Sequence, residues 1–251
     1  MHPVQKNIVR VLYMETFYVF GDSHSMCFNG VCKKVHSFCA ASAKGLSNVN
    51  SISRTHEKIS SELISISNVE KNTPNILFFF GKVDMDFTLN YKYNTDPQID
   101  FDEYIVNIAK LYIKYIKGVC ENKNIFICEL PIPHMNDHNL LARINNENSM
   151  RNINTYLSGS DNFSVMHMNK VFGHEKRIDQ YILFNNELRK LCDSNGFKLL
   201  EINKYFVHDN KGYDIPLKYV NINDKLDHHL NSIISELFVK DYRAKYHIRD
   251  S

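Results

Sequence analysis

Strand-like and helix-like segments alternate along the chain, and this alternation constrains the fold more than any other feature. Short apolar runs predict buried strands at 17–20, 75–80, 124–128 and 197–202. Apolar side chains at helical spacing predict helices over 51–67, over 101–118 and from 178 to a stop signal at 196, with a last helix beginning near 228. Such alternation is typical of a parallel sheet with helices on both faces. The predicted fold class is therefore α/β, a three-layer α/β/α sandwich.

The length of 251 residues suits a single domain over 1–251. One polar, asparagine-rich stretch near 135–174 is too long for an ordinary connection, and we predict a lid or insertion there. The charged tail from Lys240 onward carries no stop signal. It predicts that the chain is the N-terminal domain of a longer protein.

Composition sets limits on partners and location. A net charge of +2 gives no reason to expect a nucleic acid or an anionic membrane as partner. The N-terminus lacks the layout of a signal peptide, and no apolar run is long enough to cross a bilayer. Six cysteines without a CxxC pair predict reduced thiols in a cytoplasmic protein. The richness in Asn, Ile, Lys and Tyr indicates an AT-rich genome, such as that of a giant virus, which would place the protein in the host cytoplasm. The oligomeric state stays open.

Three short motifs lie where ligands gather in open α/β sheets, at or near predicted element boundaries. Ser23 closes a Phe-Gly-Asp-Ser run directly after the first strand, and a Gly-Lys-Val-Asp run at 81–84 follows the second. An Asp-His-His run at 227–229 precedes the last helix. A serine hydroxyl becomes a nucleophile when a histidine takes its proton and a carboxylate orients that histidine. These motifs together supply all three groups.

The order of the motifs resembles the sequence blocks of the SGNH (GDSL-type) hydrolases and acyltransferases, in the variant with histidine after the serine. The resemblance implies the SGNH-hydrolase fold, with a flavodoxin-like parallel sheet. It also implies that Ser23 is the nucleophile and that Gly45 donates its backbone N–H to the oxyanion. In the last block the resemblance favours His229 as the base, with His228 as the alternative and Asp227 or Asp224 as the orienting acid.

The chain departs from the family pattern at Val83, which stands where the third block has an oxyanion-binding asparagine. Losing one such donor typically costs about a hundred- to a thousandfold in rate unless another group replaces it. We predict Asn48 or Lys82 as the replacement. The full set of residues predicted to bind the oxyanion or the substrate is Asp22, Gly45, Asn48, Lys82 and Asp84.

The resemblance implies chemistry on acyl groups of carbohydrates, and the favoured function is transfer of an acyl group, in particular acetyl, to the amine or hydroxyl of a sugar or nucleotide-sugar. Acetyl-CoA would then be the donor, with no bound cofactor. A carbohydrate acetylesterase with the same residues is the alternative, and a non-catalytic carbohydrate-binding domain is the second alternative. No metal is predicted, because His134, Asp137 and His138 stand on a polar segment that we interpret as unanchored and solvent-facing. Asp86 is interpreted as a solvated loop carboxylate.

Overall fold

The computed structural model describes residues 16–51, 53–96, 98–120, 123–149, 168–208, 212–213, 215–220, 229 and 231–246. Five strands form one parallel sheet in the order β2-β1-β3-β4-β5. Their bounds are Phe17–Gly21 for β1, Lys34–Ser37 for β2, Asn75–Phe79 for β3, Asn124–Cys128 for β4 and Lys198–Leu200 for β5. A separate antiparallel pair joins β6 (Val207–His208) to β7 (Gly212–Tyr213).

The central strands are apolar along their whole length because helices cover both of their faces. Every residue of β1 is buried, as is β3 from Ile76 onward. At the edge of the sheet, β2 exposes Lys34 and Ser37. The sequence analysis missed β2 because an edge strand with polar side chains carries no continuous apolar run.

Six α-helices lie within the described residues. They are α1 (Thr55–Val69), α2 (Leu89–Thr95), α3 (Phe101–Val119), α4 (Asp137–Ser149), α5 (His174–Asn195) and α6 (Ser235–Tyr246). Asp100 caps α3, and its carboxylate accepts the N–H groups of Asp102 and Glu103 at 3.0 Å. α5 ends at Gly196, whose φ of 69° is the left-handed conformation that favours glycine.

Two consecutive phenylalanines show how the layers are arranged. Phe79, at the end of β3, contacts Phe238 of α6, with ring centroids 5.7 Å apart. Phe80, the next residue, contacts Tyr112 of α3 at 6.1 Å. Because successive side chains of a strand point to opposite faces, α6 and α3 cover opposite faces of the sheet. α1 and α5 pack against α3. The three-layer sandwich that the alternating signals predict is confirmed.

Element bounds differ from the predicted ones mainly near the chain's polar segments. The last helix begins at Ser235, after a 3₁₀ turn over Ser232–Ile234, and not near 228. The predicted strand at 197–202 pairs only over Lys198–Leu200. Within the predicted lid near 135–174, α4 is a helix with a buried side, and 150–167 lies outside the described residues. The domain bounds and the longer parent protein stay predictions.

The strand order creates a crevice beside β1. The chain runs from β1 to β2 on one side and then returns to place β3 on the other side of β1. This is the flavodoxin-like order that the resemblance implies. In such sheets, ligands bind beyond the carboxyl ends of the two strands where the order reverses, here β1 and β3. Ser23 follows β1 and Lys82 follows β3, so both lie beside this crevice.

Candidate active site

The chain makes a tight turn between β1 and Ser23. A Cβ atom on Gly21 would lie 2.5 Å from Cβ of Ser25 and 2.6 Å from the carbonyl oxygen of Phe79. No side chain larger than hydrogen fits there without displacing backbone. The Asp22 N–H donates to the same Phe79 oxygen at 3.3 Å. The turn is therefore held against β3.

Ser23 opens a 3₁₀ helix over Ser23–Phe28, and Asp22 caps that helix. The Asp22 carboxylate accepts the His24 N–H at 2.9 Å. The Ser25 hydroxyl donates to the Asp22 carbonyl oxygen at 2.7 Å. Ser23 itself is half-buried, so its hydroxyl is held by a fixed turn and remains accessible from the crevice.

His229 meets Ser23 although 206 positions separate them. Its Nε2 lies 2.8 Å from Ser23 Oγ, a hydrogen-bond distance. The structure thus brings together the two residues that the sequence predicts as nucleophile and base. Asp227, His228 and Asp224 lie outside the described residues. The acid that orients His229 therefore stays a prediction.

His24, the residue after the predicted nucleophile, lies between Asp22 and His229. Its Nδ1 is 2.9 Å from Asp22 Oδ1, and its ring centroid is 4.5 Å from that of His229, with 36° between the ring planes. His24 is 5% exposed. The sequence analysis assigned this residue no role, although its position directly after Ser23 was the available signal.

Burial raises the pKa of Asp22 to about 7, although the His24 N–H and the charges of Lys82 and His229 act in the opposite direction. Its side chain is fully buried, and Oδ2 has no hydrogen-bond partner within the described residues. The negative charge of Asp22 is therefore sensitive to the charged groups around it.

Asp86 is buried rather than solvated, which corrects the prediction for this residue. It is 3% exposed, its Oδ2 lies 3.3 Å from the Lys82 ammonium, and it accepts the Tyr181 hydroxyl. Burial raises the pKa of the Asp86 carboxyl, but Lys82 and the Tyr181 hydrogen bond outweigh it, so the pKa lies below its ordinary value. Asp86 lies in a π-helical turn over Asp84–Thr88, and the sequence could not show that α5 would cover this turn.

Asp84 joins the Gly-Lys-Val-Asp motif at 81–84 to the segment that carries Gly45. Its carboxylate accepts the Ala43 N–H at 2.6 Å and the Lys44 N–H at 3.4 Å, directly before Gly45. Burial raises the pKa of Asp84 to about 7 against the effect of these two N–H groups. Asp84 thus holds the loop that carries Gly45.

Each of the predicted oxyanion donors contacts another group of the protein. The Gly45 N–H donates to Ser42 Oγ at 2.8 Å. Asn48 is exposed, and its side-chain oxygen accepts the Asn50 N–H at 3.1 Å. Lys82 is 2% exposed and directs its ammonium to Asp86. The structure thus shows Asn48 and Lys82 in other contacts.

Comparison with known proteins adds the fold family. No protein-family model matches this sequence, and no curated protein matches it either. The solved structure of a GDSL-like lipase from Bacteroides thetaiotaomicron superposes with a TM-score of 0.50 at 10% identity. The similarity covers 96% of this chain and 95% of that chain.

The chain has the SGNH-hydrolase fold. Lower TM-scores relate it to an extracellular lipase from Streptomyces rimosus (0.48, 10% identity, 91% of this chain and 98% of that chain) and to the acetyl xylan esterase AlAXEase (0.45, 15% identity, 93% of this chain and 100% of that chain). Within this SGNH-hydrolase fold, Ser23 and the loop starting at Gly81 lie beside the crevice between β1 and β3.

The structure also describes part of the polar segment that carries Asp137 and His138. Asp137 is ion-paired at 2.8 Å with buried Arg177, so the segment around it is anchored, contrary to the prediction, while His138 is exposed. No group of three His, Cys, Asp or Glu side chains within the described residues could hold a metal ion. Among the helices that the structure describes, none is long and apolar enough to cross a membrane.

Proposed function

We propose that the protein is a serine hydrolase that cleaves a carboxylic ester through an acyl-enzyme, with Ser23 as nucleophile and His229 as general base. The observation that carries this proposal is the 2.8 Å contact between Ser23 Oγ and His229 Nε2. Two side chains so distant in sequence meet at the crevice where this kind of sheet binds ligands. A hydroxyl and an imidazole at this distance form a nucleophile–base pair.

In the acylation step, Ser23 Oγ attacks the ester carbonyl carbon while its proton passes to His229 Nε2. The carbonyl π electrons move to oxygen, which becomes the oxyanion of a tetrahedral intermediate. When that intermediate collapses, the bond to the alkoxy oxygen breaks and His229 returns its proton to the leaving alcohol. The acyl group is then esterified to Ser23.

In the deacylation step, water attacks the acyl carbon and His229 accepts its proton. The second tetrahedral intermediate expels Ser23 Oγ, which takes the proton back from His229. A carboxylic acid is released, and the free enzyme is regenerated.

For the oxyanion, we propose the backbone N–H groups of Ser23 and Gly45 as donors. The first N–H groups of a helix have no intrahelical acceptor, and Ser23 is the first residue of its 3₁₀ helix. The Gly45 N–H would exchange its bond to Ser42 Oγ for one to the oxyanion. Val83 offers no side-chain donor. Because the asparagine donor of the family pattern is missing, we predict slow turnover.

Hydrolysis is supported better than the acyl transfer that the sequence favours. The neighbour at a TM-score of 0.50 is named a lipase, which is a hydrolase, and water requires no acceptor site. We propose a small acetylated carbohydrate as substrate, on the basis of the family resemblance. Acetyl transfer from acetyl-CoA to a sugar is a distinct outcome of the experiment below.

Replacement of Ser23 tests the function. We expect the wild type to hydrolyse p-nitrophenyl acetate and Ser23→Ala to lose at least about a thousandfold in kcat/KM, because the acyl-enzyme cannot form. A fluorophosphonate probe should label the wild type at Ser23, as located by peptide mass spectrometry. The matched control is Ser67→Ala, since Ser67 is exposed on α1 and donates to the Leu63 carbonyl oxygen of the same helix.

Acetylated sugars, and separately acetyl-CoA with free sugars, are then supplied to the same proteins. Serine-dependent release of acetate supports hydrolysis. Serine-dependent formation of an acetyl sugar would show that the protein is a transferase rather than a hydrolase. Equal rates in wild type and Ser23→Ala, together with no probe labelling, would overturn the nucleophile and favour a non-catalytic binding domain.

A further inference from the structure

Two imidazole rings are in contact beside Ser23, and the proposed function uses only one of them. We propose that His24 is a positioning residue: its ring, anchored by Asp22, is the support that holds the His229 ring in line with Ser23. This inference rests on the proposed function, and it adds a residue to which the nucleophile–base pair itself assigns no role.

The anchor is the buried Asp22 carboxylate. Its Oδ1 accepts both the backbone N–H and the Nδ1–H of His24, each at 2.9 Å. This assigns the Nδ1 proton from the geometry. One acceptor thus fixes the position of His24 and the rotation of its ring. Since Asp22 is itself held against β3 by its N–H, the His24 ring is coupled to the centre of the sheet.

The supported group is the His229 ring. Its centroid lies 4.5 Å from that of His24, within the range of direct contact between flat rings. The Nε2–Oγ bond to Ser23 is directional and weakens when the ring rotates. A reacting group displaced by 1 Å can cost about a hundredfold in rate. The His24 ring packs against one side of the His229 imidazole and limits its rotation. It therefore affects the transfer of the proton from Ser23 to His229.

Charge adds to this support. During turnover His229 becomes an imidazolium, and the Asp22 carboxylate and the His229 charge attract each other. Asp22 is buried, so this attraction is screened less than it would be in water. Lys82 and Asp86 form an ion pair next to this group, which limits the net charge that the buried cluster carries. The Asp22–His24 pair thus places a buried carboxylate near His229 and also supports the orientation of its ring.

The test compares His24→Ala, His24→Phe and the control Met26→Ala, all on the same 3₁₀ helix. Met26 is 47% exposed, so its truncation should leave kcat unchanged. We expect His24→Ala to lower kcat for p-nitrophenyl acetate about tenfold or more, with KM changed less than about twofold. His24→Phe keeps a flat ring and should recover at least about a third of the wild-type kcat. Fluorophosphonate labelling of Ser23 should slow in proportion to kcat.

A His24→Ala kcat within about twofold of wild type would overturn the inference, because no support would then be needed. A folded His24→Phe protein as slow as His24→Ala would also overturn it. Thermal unfolding midpoints establish that each variant is folded, and His24→Leu replaces His24→Ala if the latter does not fold. Failure of the proposed function gives a different result from failure of this inference. In that case the activity of the wild type would not depend on Ser23.

Discussion

At the scale of single residues, Asp84 acts on the site through the backbone. It is fully buried, and its two acceptor contacts reach Ala43 and Lys44, in the loop between β2 and α1. Gly45 follows directly. The position of a proposed oxyanion donor therefore depends on a carboxylate from the helical turn after β3.

We expect Asp84→Ala to lower kcat/KM for ester hydrolysis about tenfold or more, because the Gly45 loop loses both of its acceptors on Asp84. The rate of p-nitrophenyl acetate hydrolysis measures this loss. Asp179→Ala is the control, since Asp179 is exposed on α5. Unchanged kinetics in a folded Asp84→Ala protein would contradict the assignment of Gly45 as an oxyanion donor.

At the scale of elements, Arg177 in the first turn of α5 joins segments that lie before α4 and before α5. Its Nε donates to the Phe172 carbonyl oxygen at 3.0 Å, and its Nη2 donates to the Met135 carbonyl oxygen at 2.7 Å and to Asp137 at 2.8 Å. Arg177 is 1% exposed. A buried guanidinium thus satisfies carbonyl groups that would otherwise lose their hydrogen bonds.

We expect Arg177→Met to lower the free energy of unfolding by about 2–5 kcal/mol, because two buried carbonyl oxygens lose their donors. Arg189→Met on the same helix is the control. The Arg189 side chain is 44% exposed in its pair with Glu201, so we expect a cost below about 1 kcal/mol. Urea unfolding followed by circular dichroism measures both values. Equal costs in the two variants would show that the Arg177 contacts do not stabilise the fold.

Glu129 connects the carboxyl ends of β4 and β5. It is 3% exposed, and one of its oxygens accepts the backbone N–H groups of Ile202 and Asn203. Burial raises the pKa of Glu129 to about 7, against the effect of these donors. The folded state therefore holds the Glu129 proton at pH values where the unfolded chain has released it.

The raised pKa of Glu129 makes the stability of the fold depend on pH in a defined direction. The stabilising contribution of the protonated carboxyl is fully present below its unfolded pKa of about 4.5 and is lost as pH rises to about 7. Glu129→Gln keeps an acceptor and removes the titration. Between pH 5 and pH 8, we expect the wild type to lose about 2–3 kcal/mol more unfolding free energy than Glu129→Gln. Urea unfolding across this range measures the difference, and parallel pH profiles for the two proteins would contradict the prediction.

At the scale of the whole molecule, the apolar core formed by the described residues has two parts. The main cluster joins the five parallel strands to helices on both faces. A second cluster contains five buried side chains at the start of the polar segment and around α4: Phe87, Met135, Leu140, Ile144 and Met168. α4 is held largely by this smaller cluster.

We expect α4 to open at a lower free energy than the sheet, because it buries less apolar surface. Native-state hydrogen exchange with mass spectrometry measures this opening. Peptides from α4 should exchange at least about tenfold faster than peptides from β3 and β4, which corresponds to at least about 1.4 kcal/mol. Equal protection would show that α4 and the sheet unfold together.

Local patterns predicted most of the fold correctly. Strands β1, β3 and β4 and helix α3 lie within a few residues of their predicted bounds, since their apolar periodicity is strong. The position of Ser23 after β1 also follows from a local motif. The start of α6 does not, because the apolar spacing around Leu230 predicts a helix from about 228, whereas the described residues show a 3₁₀ turn over Ser232–Ile234 before the helix begins at Ser235.

The sequence by itself determined the alternation of elements and the chemical groups available to the site, because periodicity and turn chemistry act between near neighbours in the chain. The tertiary structure decided which polar groups are buried and which of them meet. His24 against His229, Asp86 against Tyr181, and Arg177 between two segments all join residues that are distant in the chain, so their proximity depends on the tertiary packing. Burial and charge pairing are properties of that packing, and they set the pKa shifts of Asp22, Asp84 and Asp86.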